Sequence, residues 1–108
     1  MNPSEAEGLA PAVEVSYLPE EGRFVGTIEG SDEVAFIEVQ PGPTEWVFGY
    51  TQVPGAWQGK GVGMALVRGA VAQVRAMGGL RIRPECPFVA AFFRRYPEEA
   101  DLLRGGGS

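Results

Sequence analysis

Residues 50–77 read YTQVPGAWQGKGVGMALVRGAVAQVRAM. An extended run ends at Val53, Pro54-Gly55 turns the chain, and Gly59, Gly61 and Gly63 lead into a long, mostly apolar helix ending at Met77. A glycine-rich turn that feeds a helix start leaves several backbone N–H groups without partners. Together with the positive end of the helix dipole, they form a site for an anion. The spacing fits neither of two well-known phosphate loops. A nucleoside-triphosphate loop needs GxxxxGK followed by Ser or Thr, whereas Lys60 lies between Gly59 and Gly61 with no hydroxyl residue after it. The dinucleotide order GxGxxG fails at Met64, and the region about 20 positions on, where an acidic residue belongs, is Gly78-Gly79-Leu80. On spacing alone the stretch is either a site for a phosphate-bearing ligand or a plain flexible turn.

The elements on either side follow from period and punctuation. Val13 to Tyr17 is a short strand or simply extended chain. Arg23 to Ile28 reads as a strand with Phe24, Gly26 and Ile28 on one side. Gly30-Ser31-Asp32 makes a hairpin connection to an alternating segment, Glu33 to Gln40. Thr44 to Val53 is a further strand, with Trp46, Phe48 and Tyr50 predicted on one side and Val47, Thr51 and Val53 on the other. Two apolar faces imply a strand covered on both sides. In the helix, Leu66, Ala70, Val74 and Met77 form one stripe, while Arg68 and Arg75, seven apart, share another face. Gly78-Gly79 stops it. Leu80 to Arg83 is then a short strand, and the strand–helix–strand order places it parallel to residues 44–53. Phe88 to Arg95 follows as a short helix opened by Pro87, and Pro97 starts a last helical turn.

Composition narrows the class. The chain has 108 residues and a net charge of -5, which suits one small domain and argues against nucleic acid as a partner. The charge is uneven. Residues 1–57 hold one basic and ten acidic side chains, and residues 58–108 hold eight basic and four acidic. The positive half contains the glycine loop, as a polyanionic ligand would require, and the acidic half would attract a cationic acceptor; ordinary surface charge is the alternative. Histidine is absent and Cys86 is the only cysteine, so an internal disulfide and a structural zinc site are both excluded. The acidic start MNPSEAEGLAP is not a signal peptide, and no 18-residue apolar run spans a membrane. The expected location is the cytoplasm. Residues 1–12 and 104–108 read as flexible ends around a domain at 13–103.

Gln58-Gly59-Lys60-Gly61-Val62-Gly63 resembles the Q/R-x-x-G-x-G/A motif of the GNAT superfamily of acetyl-CoA-dependent N-acetyltransferases, with Gln58, Gly61 and Gly63 at the matching positions. Tyr50-Thr51-Gln52-Val53-Pro54, Pro84-Glu85-Cys86-Pro87-Phe88 and Tyr96-Pro97-Glu98-Glu99 are similar to the HTxVP, PxCPF and HPEY-like segments of a small GNAT-like subfamily. The resemblance implies a minimal GNAT-like α/β fold, a mostly antiparallel sheet with one parallel strand joined through the long helix. It implies that acetyl-CoA (coenzyme A) is held at Val53, Gln58, Gly59, Lys60, Gly61, Val62, Gly63 and Met64, with the pyrophosphate at the loop. The implied acceptor is an amine on a small molecule or peptide. The alternative is a non-catalytic acyl-CoA-binding module.

Two residues are catalytic candidates. Cys86 follows the parallel strand, where it would act as a thiol nucleophile or as a general acid for the leaving thiolate; the plain alternative is a buried core cysteine. Tyr50 stands where the subfamily has histidine. A phenol with its ordinary pKa near 10 is a poor base but can donate a proton, and a sheet-face aromatic is the alternative. Gln52 and Tyr96 also depart from the subfamily pattern, and Glu45, Glu85 or water remain as acceptors of the amine proton.

Overall fold

The structure is a computed structural model of the chain and describes residues 11–104. Five strands form one sheet in sequence order: β1 (Val13–Leu18), β2 (Arg23–Ile28), β3 (Val34–Gln40), β4 (Glu45–Gln52) and β5 (Arg81–Pro84). Neighbours from β1 to β4 are antiparallel, and β4 pairs β5 in parallel. Helix α1 (Val62–Met77) connects β4 to β5. Helix α2 (Pro87–Arg95) and a 3-10 helix (Pro97–Arg104) complete the chain. The fold is therefore mixed α/β, with a mostly antiparallel sheet, one parallel pair and a long helix packed on it. Most of the sequence expected as flexible ends, residues 1–10 and 105–108, lies outside the described residues. Ala12, placed in the tail on sequence, already accepts a hydrogen bond from the Glu29 N–H at 2.9 Å.

The buried residues alternate along the strands: Phe24, Gly26 and Ile28 in β2; Ala35, Ile37 and Val39 in β3; Trp46 and Phe48 in β4; Ile82 in β5. They meet Val62, Leu66, Val67, Ala70, Val71 and Val74 of α1 and Val89, Phe92 and Phe93 of α2 in one core. Only one face of each strand is buried, so the expectation of a strand covered on both sides is corrected. The intervening residues, among them Val25, Val34, Phe36 and Val47, stay partly or fully exposed. Met77, expected on the buried stripe, is also exposed, since the helix core ends a turn earlier at Val74.

Close approach of α1 to the sheet depends on two glycines. A Cβ at Gly69 would sit 2.5 Å from Val15 Cγ2, and one at Gly26 would sit 2.8 Å from Val13 Cγ1 and 3.1 Å from Leu66 Cδ1. Gln73 of α1 donates from Nε2 to the Val15 carbonyl at 2.8 Å, which occupies an acceptor on a strand that, among the described residues, has only β2 as a neighbour. Among the described residues, no helix is long and apolar enough to cross a membrane.

Candidate functional site

The site begins with an irregularity in β4. Val39 pairs with Phe48, but Ile37 pairs with Thr51, so Gly49 and Tyr50 together stand opposite Glu38. The extra residue is a β-bulge, and it inverts the alternation beyond it. Trp46 and Phe48 face the helices. After the bulge Thr51 does so, across from the buried Ile37. Tyr50 is turned to the open face of the sheet, 54% exposed, with its ring centroid 6.1 Å from that of Phe36 and its hydroxyl 3.2 Å from Gln52 Oε1. The predicted common side for Trp46, Phe48 and Tyr50 is thus corrected.

The parallel pairing sets the second boundary. It runs from Glu45 opposite Arg81 to Phe48 opposite Pro84 and stops. The Phe48 carbonyl accepts from the N–H groups of Glu85 at 3.0 Å and Cys86 at 3.3 Å, and Pro87 then opens α2. Strand β4 continues to Gln52, so among the described residues its last positions have no strand on the β5 side. A cleft of about 540 Å³ occupies the gap, walled by Thr51, Val53, Trp57, Met64 and Phe88 and floored by Gln58, Gly59, Gly61 and Gly63. Sequence reasoning missed Thr51, Trp57 and Phe88 as lining residues. The available signal for Phe88 was its place in the PECPF segment. For Trp57 the sequence offers only an aromatic within a Pro/Gly-rich stretch; its indole N–H donates to Ser31 Oγ at 3.1 Å.

The loop is a backbone structure. Gly59 and Gly61 have φ of 75° and 85°, which side chains disfavour. Gly61 is the N-cap of α1, and its carbonyl accepts the first helical bond, from Ala65 N–H at 3.1 Å. No side chain caps this end among the described residues, so the N–H groups of Val62, Gly63 and Met64 have no helical acceptor. Gln58 donates from Nε2 to the Val53 carbonyl at 3.1 Å and ties the loop to the end of β4. The Val62 side chain is buried, leaving only its backbone for a ligand. Gly63 has a packing role as well: a Cβ there would lie 2.4 Å from Phe88 Cζ. Lys60 lies on the other side of the loop, in a broad groove along α1.

Cys86 is buried at the N-cap of α2, with Sγ 3.6 Å from Thr51 Oγ1. Burial pushes its thiol pKa up. Hydrogen bonding from the Thr51 hydroxyl and from the backbone of Val89, Phe88 and Thr51 outweighs that, and the net shift is downward. The bulge therefore brings Cys86 and Thr51 together and turns Tyr50 away from them. The two carboxylates considered as bases are held by arginines: Glu45 by Arg81 at 2.8 Å and Arg83 at 3.7 Å, and Glu85 by Arg83 at 3.6 Å. Tyr96 lies under the guanidinium of Arg68, 4.4 Å from its ring centroid, and accepts from Arg95 Nε at 3.3 Å. Hydrogen bonds from Arg95 and then Arg68 hold its hydroxyl below the usual phenol range.

A search of curated proteins finds no match. A family profile described as GCN5-related N-acetyl-transferase matches residues 23–102, from the first residue of β2 into the 3-10 helix. The match spans both boundaries of the cleft, the glycine loop and Cys86, and on that extent the chain belongs to the GCN5-related N-acetyltransferase family.

Proposed function

We propose that this protein is an acetyl-CoA-dependent N-acetyltransferase that moves an acetyl group to an exposed amine of a peptide or small molecule. Family membership supports acyl-CoA-related transferase activity in general. The observation that carries the finer reading is the junction of the cleft and the loop. An apolar slot, opened where β4 outruns β5, ends at three backbone N–H donors and a helix N-terminus. That shape suits a ligand with a narrow arm at one end and a pyrophosphate at the other. The fit rests on the chain itself: the two glycines at positive φ present no side chain, and the helix start has no cap to compete.

The N–H groups of Val62, Gly63 and Met64 would hold the pyrophosphate, and Gln58 would keep the loop against Val53. Trp57, Met64 and Phe88 would flank the pantetheine arm and exclude water. The backbone at Thr51–Val53, without a strand neighbour on the β5 side, would orient the thioester. When bound, acetyl-CoA supplies the activated acetyl group. Cys86, hydrogen-bonded to the cleft residue Thr51, would give a proton to the departing thiolate, and water would take the amine proton. The amine would attack directly, without a protein thioester, since the chain holds no histidine to form a Cys–His pair. A second reading, a non-catalytic acyl-CoA-binding module, draws support from the cleft walls, which carry no titratable side chain.

Calorimetry with acetyl-CoA and transfer to an amine panel test both readings. Binding in the micromolar range is expected (~8 kcal/mol), and Gly61→Asp should remove it, since a side chain and a negative charge would fill the loop. Unchanged affinity in that variant would defeat the cofactor assignment. Binding without transfer to any acceptor would select the non-catalytic module.

A further inference from the structure

The groove on the far side of the glycine loop is continuous with the cleft, sharing Trp57, Gly59, Gly61 and Met64 with it. It runs along α1 to the start of the 3-10 segment. Its charged lining is three cations, Lys60, Arg68 and Arg95, against one carboxylate, Glu29. Arg68 and Arg95 converge on one ring: their guanidinium carbons stand 4.4 and 5.7 Å from the centroid of Tyr96. Among the described residues, ion pairs engage Arg23, Arg75, Arg81 and Arg83, and none engages Arg68 or Arg95. Two guanidinium groups gathered on one aromatic, paired with no carboxylate among the described residues, repel each other. An anion bound between them removes that repulsion. Arg68 lies seven residues beyond Gly61, so the cluster is displaced along the axis by roughly 10 Å from the loop. The two anion-binding places thus suit one ligand with two phosphate groups separated by a spacer of nucleoside size.

We infer that Arg68 and Arg95, positioned by Tyr96, bind the 3′-phosphate of coenzyme A and make the site selective for the complete coenzyme over its dephosphorylated form. The inference rests on the proposed coenzyme A reading and adds to it a second phosphate position and a source of ligand selectivity. A pyrophosphate at the loop alone would leave the two coenzyme forms equivalent. A monoester dianion in the groove separates them, because guanidinium groups offer it charge-assisted, bidentate hydrogen bonds.

Titration calorimetry with coenzyme A and with dephospho-coenzyme A, at one ionic strength, decides the matter. The parent protein should bind coenzyme A on the order of tenfold more tightly than the dephosphorylated form. The double variant Arg68→Gln/Arg95→Gln should lose about that factor for coenzyme A and bind the dephosphorylated form as the parent does. Equal affinities for the two ligands in the parent would overturn the assignment of the groove while leaving the loop reading intact. Equal losses for both ligands in the double variant would also overturn it, since they would mark a general field or a folding effect. A parent that binds neither ligand would remove the coenzyme A reading itself, and this inference with it. The comparison in the parent requires no substitution, so a variant that fails to fold does not prevent the decision.

Discussion

At Cys86 burial and hydrogen bonding oppose each other on one thiol. Burial disfavours the thiolate, whereas the Thr51 hydroxyl and the first amides of α2 favour it, and the second influence wins. The thiol should therefore ionise at lower pH than an ordinary cysteine, followed by the ultraviolet absorbance of the thiolate across a pH titration. Thr51→Val keeps the shape of the side chain but removes the hydroxyl, so the midpoint should move up. A midpoint equal to the parent's would assign the whole shift to the backbone of Thr51 and of the helix start. The sign also fixes the effect on folding. A thiol pKa depressed in the folded state adds stability above the unfolded value and loses it as pH falls through the folded one. In the same region, Gly63 shows that one glycine can have two reasons to be there: its N–H faces the loop, while its missing Cβ admits the Phe88 ring.

At the scale of elements, the contact of α1 with β1 relies on Gly69. In Gly69→Ala the new methyl would meet Val15 Cγ2 at 2.5 Å and its Cβ at 2.9 Å. Val15 is β-branched and belongs to a strand, so relief requires moving β1 rather than rotating a flexible chain end. Overpacking of this kind costs about 1–3 kcal/mol, and the better helix propensity of alanine offsets at most about 1 kcal/mol. A net loss on the order of 1 kcal/mol is expected in urea denaturation, with recovery when Val15→Ala is added. Greater stability in Gly69→Ala would mean that β1 yields freely. The bulge in β4 is the other decisive local feature, since it determines which side chains near the cleft face the helices.

Across the whole molecule, Arg75 ties α1 to the C-terminal segment. It bonds Asp101 at 2.8 and 2.9 Å and Glu99 at 2.8 Å. The guanidinium pKa is raised, first by the Asp101 hydrogen bond, and the Asp101 carboxyl is held below the ordinary carboxylate range by the same contact. A depressed carboxyl pKa stabilises the fold above its unfolded value, near 3.9, and that contribution disappears as pH falls through the lower folded value. Arg75→Gln should melt below the parent at neutral pH, and the gap should narrow with acid below the usual carboxylate range and with added salt. The pair is exposed, so the gap should be modest. A gap independent of pH and salt would show that Arg75 acts through packing of its aliphatic stem.

The sequence by itself determined the sheet-and-helix alternation, the parallel strand after α1 and the loop with its unpartnered amides. Each is a local matter of period, glycine placement and chain connectivity: Phe24 and Ile28 alternate, Gly59 and Gly61 break the chain into a turn, and Gly78-Gly79 ends the helix. Tertiary structure decided the rest. The position of Tyr50 depends on one unpaired residue in β4, and such an insertion leaves the polar–apolar pattern of the strand itself unchanged, because register is a property of two strands and not of one. Whether the second face of the sheet is covered depends on where every helix settles, and here the core joins all of them to the same face. The meeting of Arg68 and Arg95 on Tyr96 joins residues from α1 and from the end of α2, which only packing brings together.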